Sequence, residues 1–105
     1  MARLETEILL AFWKVHILHH AGEEPVVGAQ MLRELRRHGY EVSPGTMYPL
    51  LARMHRMGWL RLKATRGGGL RARKEYTLTP EGRGVLHQIR AQIEELYREV
   101  VKGEH

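Results

Sequence analysis

One stretch, residues 43–60, constrains the fold of this chain more than any other. It has the composition of a capped helix that stops at a glycine and enters a strand. Ser43 can offer its hydroxyl to the free N–H groups of a first turn, and Pro44 suits the first helical position because it has no N–H to lose. Gly58 stands where a left-handed C-terminal cap would fall. These residues therefore predict a helix with well-defined ends.

The predicted helix has two unlike faces. One is apolar, because residues at spacings of three and four share a side: Met47, Leu50, Leu51, Met54 and Met57. The opposite face is polar and basic: Tyr48, Ala52, Arg53, His55 and Arg56. Taken alone, this pattern is typical of an ordinary amphipathic surface helix with a solvated side.

The basic residues of the chain are concentrated around this helix. The formal net charge is +5, but residues 43–74 hold eight Lys and Arg and no Asp or Glu, whereas nine basic residues elsewhere face all 12 acidic ones. A local basic excess indicates a polyanionic partner on one face. Binding to a membrane surface would require the apolar side of the same helix, which the core needs. DNA is therefore the favoured partner.

Length and composition exclude several other classes. The 105 residues allow one domain with a modest core, which would gain stability from a second copy. The absence of cysteine excludes disulfides and thiolate metal sites. No apolar run approaches the about 20 residues that span a bilayer, and the N-terminus lacks the segments of a signal peptide. We expect a cytoplasmic protein that does not bind a membrane.

Two further helices precede the central one. Residues 3–20 predict a first helix that is apolar over much of its circumference, as is usual for a helix buried on two sides. We expect the second side to face another subunit. Residues 26–27 allow at most an edge strand, and a second helix runs from Gly28 to a stop at Gly39. Two short helices joined by a tight glycine-containing turn are typical of a helix-turn-helix.

A glycine-rich hairpin follows the central helix. Apolar and polar residues alternate at 60–63 and again at 75–78, which predicts two paired strands. Between them, three consecutive glycines flanked by arginines predict a loop that does not fold alone. A solubilising hairpin tip would have this composition. Directly after a basic helix-turn-helix, however, a wing that contacts phosphates or an adjacent minor groove is the favoured interpretation.

The last helix carries a candidate dimer seam. Thr79, Pro80 and Glu81 are suited to its first turn, and apolar residues then recur at spacings of three and four. We predict that this helix dimerises against the first helix of the partner through Leu9, Trp13, Leu86, Ile89, Ile93, Leu96, Tyr97 and Val100. The predicted organisation is a winged helix-turn-helix domain at residues 1–78, whose first helix also lies at the interface, and a dimerisation helix at 79–105.

The order of elements and several segments resemble the PadR family of transcriptional regulators. The matching segments are residues 39–42, 43–51, 58–60 and 74–82, and Pro49 within the central helix also fits the pattern. The resemblance implies a mainly α (α+β) fold: a winged helix-turn-helix with a two-stranded β-wing and one long C-terminal helix, as in the short branch of the family. It also implies a homodimeric repressor that leaves a palindromic operator when it senses a small molecule or stress.

The predicted DNA contacts follow from the helix-turn-helix geometry, in which the N-terminus of the reading helix enters the major groove. Ser43, Gly45 and Thr46 would present N–H groups and hydroxyls to a phosphate or base edge. Tyr48 and Arg53 would lie toward the groove, although Tyr48 suits half-buried packing almost equally well. The predicted phosphate contacts around the wing are Lys63, Arg66, Arg71 and Arg73.

The seven histidines raise a metal hypothesis. His16 and His20 are four residues apart with His19 between them, so two imidazoles would meet on one helical face. A complete ligand set would need Glu23, Glu24 or a partner subunit. Solvent-facing histidines at a helix end are the favoured interpretation, so we expect no metal and no cofactor.

Two further interpretations concern ligands and other functions. Phe12, Trp13, Ile93 and Tyr97 would line a pocket for a small hydrophobic effector between subunits, with plain interface packing as the alternative. An enzyme is disfavoured, because the only serine lies in the helix cap, cysteine and aspartate are missing, and no nucleotide-binding phosphate loop is present. The remaining alternative is a winged helix that binds another protein and has no affinity for DNA.

Overall fold

The computed structural model describes residues 5–64 and 73–104. Its elements are helix α1 (Thr6–Glu23), strand β1 (Val26–Val27), helix α2 (Gly28–Arg37), helix α3 (Pro44–Arg56), strands β2 (Leu60–Ala64) and β3 (Lys74–Leu78), and helix α4 (Pro80–Leu96), which continues as a π-helical segment at Tyr97–Val101. The predicted mainly α fold with the winged helix-turn-helix order is confirmed. The first helix runs to Glu23, three residues past the predicted end, and residues 1–4 lie outside the described part of the chain.

The strands form one antiparallel sheet in the order β1-β3-β2. Leu60 and Leu62 of β2 face Leu78 and Tyr76 of β3, so the apolar residues of the hairpin share one side, as the alternation predicted. On the other edge of β3, Val26 pairs with Tyr76. The hairpin therefore gains a third, two-residue strand from the segment before α2, where the resemblance implied only two strands.

Two glycines end the helices of the helix-turn-helix as predicted. Gly39 follows α2 with φ +94° and Gly58 follows α3 with φ +84°. These left-handed conformations are readily available to glycine and strained for other residues. The helix lengths before and after the turn are therefore fixed by local sequence.

The core lies between α1, α2, α3, the sheet and the first half of α4. Its most deeply buried side chains come from four elements and are Ile17, Leu18, Met31, Leu35, Met47, Leu50, Leu51, Met54 and Leu60. The apolar face predicted for α3 is thus the buried one, apart from Met57, which is exposed. Burial of these side chains is what fixes the angle at which α3 is presented to solvent.

Helix α4 belongs to this core only at its beginning. Leu86 is buried in the core, and a Cβ at Gly82 would lie 2.2 Å from the carbonyl oxygen of Trp59. From Arg90 to Glu104, by contrast, every side chain is exposed. Helix α4 therefore packs on the core through its first turns, and the part that extends beyond the core starts near Arg90.

Candidate nucleic-acid interface

The two faces of α3 are cleanly separated in the structure. Met47, Leu50, Leu51 and Met54 are buried, whereas the opposite side is exposed or half-buried along the whole helix and consists of Gly45, Tyr48, Pro49, Ala52, Arg53, His55 and Arg56. With two arginines and no carboxylate on it, this surface is basic. We call this surface the reading face.

The N-terminus of α3 is built differently from the prediction. Ser43 is the N-cap residue, but its side chain caps no backbone N–H; instead its hydroxyl donates to Oγ1 of Thr46 at 3.3 Å. The prediction of a Ser43 side-chain cap was therefore wrong. With Ser43 and Gly45 exposed and Thr46 half-buried, this helix end presents hydroxyl groups and the positive end of the helix dipole to solvent.

Pro49 lies on the reading face, and α3 continues through it to Arg56. Because proline has no N–H, the carbonyl of Gly45 lacks the donor that an α-helix normally supplies four residues later. Pro49 therefore removes one regular hydrogen bond from the first turns of α3, on the exposed side of the helix.

Tyr48 combines the two roles that the sequence left open. Its side chain is 47% exposed, so it is part of the reading face. Its ring also packs against the start of α2, since a Cβ at Gly28 would lie 2.3 Å from Cε1 of Tyr48. Packing on one side of the ring holds the tyrosine in place while its other side remains open to a ligand.

The link between α2 and α3 is held by a residue that the sequence did not single out. Arg36 donates from Nε to the carbonyl oxygen of Val42 at 3.2 Å, and Val42 itself is buried. Arg36 is exposed on the surface of α2 and also holds the residues just before α3 in place. A contact between two residues six positions apart across a turn follows no regular sequence spacing, so the sequence pattern does not predict it.

Three hydrogen bonds connect the C-terminal end of α3, the hairpin and the start of α4. His55 donates from Nδ1 to the carbonyl oxygen of Leu60 at 3.0 Å. The hydroxyl of Thr79 donates to the carbonyl oxygen of Gly58 and accepts from the N–H of Gly82 at 2.9 Å. These contacts join α3, β2 and α4, so the hairpin leaves the reading helix in a defined direction.

Basic residues on the hairpin extend the reading face. Arg61 and Lys63 are exposed on the same side of β2, and Arg73 is exposed just before β3. Lys63 lies directly opposite Glu75 in the strand register, so one carboxylate adjoins the basic surface. The two other predicted wing contacts, Arg66 and Arg71, lie outside the described residues.

Four of the eight predicted dimer residues are exposed. Ile93, Leu96 and Tyr97 are about half exposed, and Val100 is 69% exposed. Leu9 and Ile89 are partly buried against the core. Trp13 and Leu86 differ from the prediction, because both are buried within the subunit and have little surface left for a partner.

A groove between α1 and α4 contains part of the predicted effector pocket. Phe12, Val15, Leu86, Ile93 and Leu96 form its apolar lining, with His16, His19, Tyr40 and Arg90 at its polar side. Trp13 and Tyr97, which were predicted to line it, are not among these residues. Trp13 is only 2% exposed and packs edge-on against Tyr40, and its Nε1 has no acceptor among the described residues.

The histidines of α1 are close to one from α2. His16 accepts or donates through Nε2 at 3.3 Å from the hydroxyl of Tyr40, and its ring lies 5.2 Å from that of His38. Partial burial lowers the pKa of His16 below its ordinary value, and the nearby His38, His20 and His19 act in the same direction. The imidazole of His16 is therefore favoured in its neutral form.

Within residues 5–64 and 73–104, no helix combines the length and the apolarity that crossing a bilayer requires.

Sequence comparison relates the chain to known regulators. The profile of the transcriptional regulator PadR-like family matches residues 17–88. The chain is 48% identical over 91 residues to the transcriptional regulator Rv3488 of Mycobacterium tuberculosis, and this alignment covers 87% of this chain and 84% of that protein. The family match spans the whole helix-turn-helix, the hairpin and the start of α4.

Solved structures show the same architecture. A PadR family transcriptional regulator from Eggerthella lenta superposes with a TM-score of 0.75 at 30% identity, covering 92% of this chain and 88% of that one. A PadR-like transcriptional regulator from Bacillus cereus gives a TM-score of 0.80 at 26% identity, covering 92% and 95%. The similarity therefore includes the C-terminal helix as well as the reading helix.

Proposed function

This chain belongs to the PadR-like family of transcriptional regulators, and from that premise we propose that it is a homodimeric, sequence-specific DNA-binding repressor released from its operator by a small-molecule or stress signal. The family membership predicted from the motifs is confirmed, and DNA-binding regulation follows from it. The dimer, the direction of regulation and the signal are the parts that we propose.

The observation that carries the proposal is the reading face of α3. One side of this helix is anchored in the core by four apolar side chains, and the other presents Tyr48, Arg53 and Arg56 with no acidic residue among them. A fixed basic helix whose N-terminus is open is the element that enters a major groove in helix-turn-helix proteins. The exposed basic residues of β2 would then lie along the adjacent phosphate backbone.

The dimer is supported by the apolar surface beyond the core. Ile8 and Phe12 on α1 and the run from Ile93 to Val101 on α4 include seven large apolar side chains with at least 44% exposure: Ile8, Phe12, Ile93, Leu96, Tyr97, Val100 and Val101. An exposed apolar patch of this kind indicates a protein interface. A two-fold axis through it would set two reading helices toward half-sites about one DNA turn apart.

The proposed signal is a small hydrophobic compound bound in the groove of Phe12 and Ile93. This groove lies between α1 and α4, the same two helices that we propose form the interface. A ligand there would change how two subunits pack and hence the spacing of their reading helices. Release of a bound operator by planar hydrophobic compounds would support this part of the proposal.

The DNA-binding activity is tested by measuring the affinity of the protein for palindromic sequences upstream of its own gene, by fluorescence anisotropy across a range of salt concentrations. We expect Arg53→Gln to weaken binding by about tenfold, with either a relaxed sequence preference or a salt slope lower by about one. Arg98→Gln, which removes the same charge near the end of α4, should bind like the unmodified protein. Arg66→Gln and Arg71→Gln test the wing in the same assay.

The competing hypothesis is a winged helix that binds another protein. It predicts no affinity for any DNA at any salt concentration. Operator binding instead predicts a measurable affinity that falls as the salt concentration rises. The absence of binding to every palindromic sequence by the unmodified, folded protein, even at low salt, would favour this alternative.

A further inference from the structure

Two histidines of α1 and a third that is distant in the sequence converge between α1 and the end of α2. His16 and His20 lie on α1, and His38 directly follows α2. One ring nitrogen from each lies within 4.8 Å of the nitrogens of the other two. The rings of His16 and His20 are stacked, with centroids 6.4 Å apart, and His16 and His38 are separated by 5.2 Å. The sequence indicated only the pair on α1.

The donor atoms suit a metal ion of a particular class. Neutral imidazole nitrogen is a preferred ligand of zinc, copper and nickel, and calcium or magnesium prefer oxygen. Nitrogens bound to one zinc ion at about 2.0–2.1 Å lie roughly 3.3 Å from each other. Rotation of three partly or fully exposed rings about their side-chain torsions can shorten the observed spacing to that value.

Neighbouring groups can complete and orient such a site. Oε1 of Glu34 lies 3.4 Å from Nε2 of His38, and Oε1 of Glu23 lies 4.0 Å from Nδ1 of His20. His20, Glu23 and Glu34 also line one shallow depression. Tyr40 contacts His16 through its hydroxyl, and outer hydrogen bonds of this kind orient a metal-binding imidazole.

We propose that His16, His20 and His38 form a binding site for a divalent transition-metal ion of the zinc class, with a carboxylate of Glu34 or Glu23, or water, as the fourth ligand. The site joins α1 to the segment that leads from α2 into α3. It does not include residues of the reading face, and it shares His16 with the polar side of the α1–α4 groove.

A second group on α1, His19, His20 and Glu23, also has ligand atoms within reach of one another. It offers two imidazoles from consecutive residues and one exposed carboxylate, whereas the proposed site offers three imidazoles from two helices. More nitrogen ligands favour the proposed site, and His38 distinguishes the two because only the proposed site uses it.

The test is calorimetric titration of the full-length, chelator-treated protein with zinc chloride. We expect one zinc ion per chain, and an affinity at least about tenfold weaker in His38→Gln and in His20→Gln. The matched control is His87→Gln, since His87 is exposed on α4 outside both groups and its loss should leave the affinity unchanged. Far-ultraviolet circular dichroism of each variant verifies that it is folded.

Three results would overturn the proposal. They are the absence of zinc binding by the unmodified protein, an unchanged affinity in His38→Gln, and a loss in His19→Gln that His38→Gln does not share. The titration contains no DNA, so its failure leaves the proposed repressor function standing. A protein that binds zinc but no operator would instead refute that function and leave the metal site standing.

Discussion

Gly82 and Gly84 lie two residues apart in the first turns of α4, but their surroundings differ sharply. A Cβ at Gly82 would meet the carbonyl oxygen of Trp59 at 2.2 Å and Cδ1 of Leu78 at 2.7 Å, whereas a Cβ at Gly84 would meet nothing within 4 Å. The obstacle at Gly82 includes backbone, which cannot move aside like the end of a side chain. Glycine is therefore required at 82 by the close approach of α4 to the start of β2.

We expect Gly82→Ala to lower the free energy of unfolding by about 2 kcal/mol or more, because the added methyl group forces helix and strand apart. Gly84→Ala should instead raise it by about 0.5–1 kcal/mol, since alanine restricts the unfolded chain and favours helix. Thermal unfolding followed by circular dichroism at one protein concentration measures both. Equal effects of the two substitutions would contradict the tight packing at residue 82.

At the scale of elements, α3 and α4 begin with similar dipeptides that have different structural roles. Ser43-Pro44 and Thr79-Pro80 both place a hydroxyl before a proline in the first turn. Thr79 is buried, caps α4 through the N–H of Gly82 and donates to the carbonyl of Gly58. Ser43 is exposed and makes no such cap. The start of α4 therefore connects three elements through Thr79, whereas the start of α3 is exposed and open to a ligand.

We predict that Thr79→Val destabilises the protein by about 2 kcal/mol, because the cap is lost and the half-buried carbonyl of Gly58 loses its donor. Thr79→Ser, which keeps the hydroxyl, should retain most of the stability. Ser43→Ala should change the free energy of unfolding by less than about 0.5 kcal/mol, as is usual for surface substitutions. Urea unfolding compares the three, and a large loss in Ser43→Ala would show that Ser43 does cap α3.

At the scale of the whole molecule, one subunit buries only part of its apolar surface. The core buries apolar residues of α2, α3 and the sheet, but those at the end of α4 and at Ile8 and Phe12 of α1 stay exposed. The basic reading face is on α3, a different element from either. A second copy that covers α1 and α4 would therefore leave both reading helices open to one DNA duplex.

We expect Ile93→Glu to convert the protein into a monomer, because a carboxylate would be buried without a partner in the interface. Ala91→Glu adds the same charge to the same helix at an angle facing away from the apolar seam, and it should leave the dimer intact. Sedimentation equilibrium gives the molecular mass of each variant. A monomeric unmodified protein, or a dimeric Ile93→Glu variant, would contradict the proposed interface.

Local patterns in the sequence determined the elements, their order and the family. The glycines at 39 and 58, the alternation in the hairpin and the three-four spacing in α3 act within a few residues of each other, so their consequences are visible without a fold. The basic, acid-free segment similarly identified the reading face. The burial of α3's apolar side followed from the same periodicity.

Only the tertiary structure decided which residues meet across elements. Four findings depend on how the helices cross and where the sheet lies. Trp13 is buried, and residue 82 must be glycine. Thr79 caps a helix whereas Ser43 does not, and His38 approaches His16 and His20. Such contacts join residues that are distant in the chain, and their geometry is set by the packing of the whole core. The periodicity within one helix therefore does not predict these contacts.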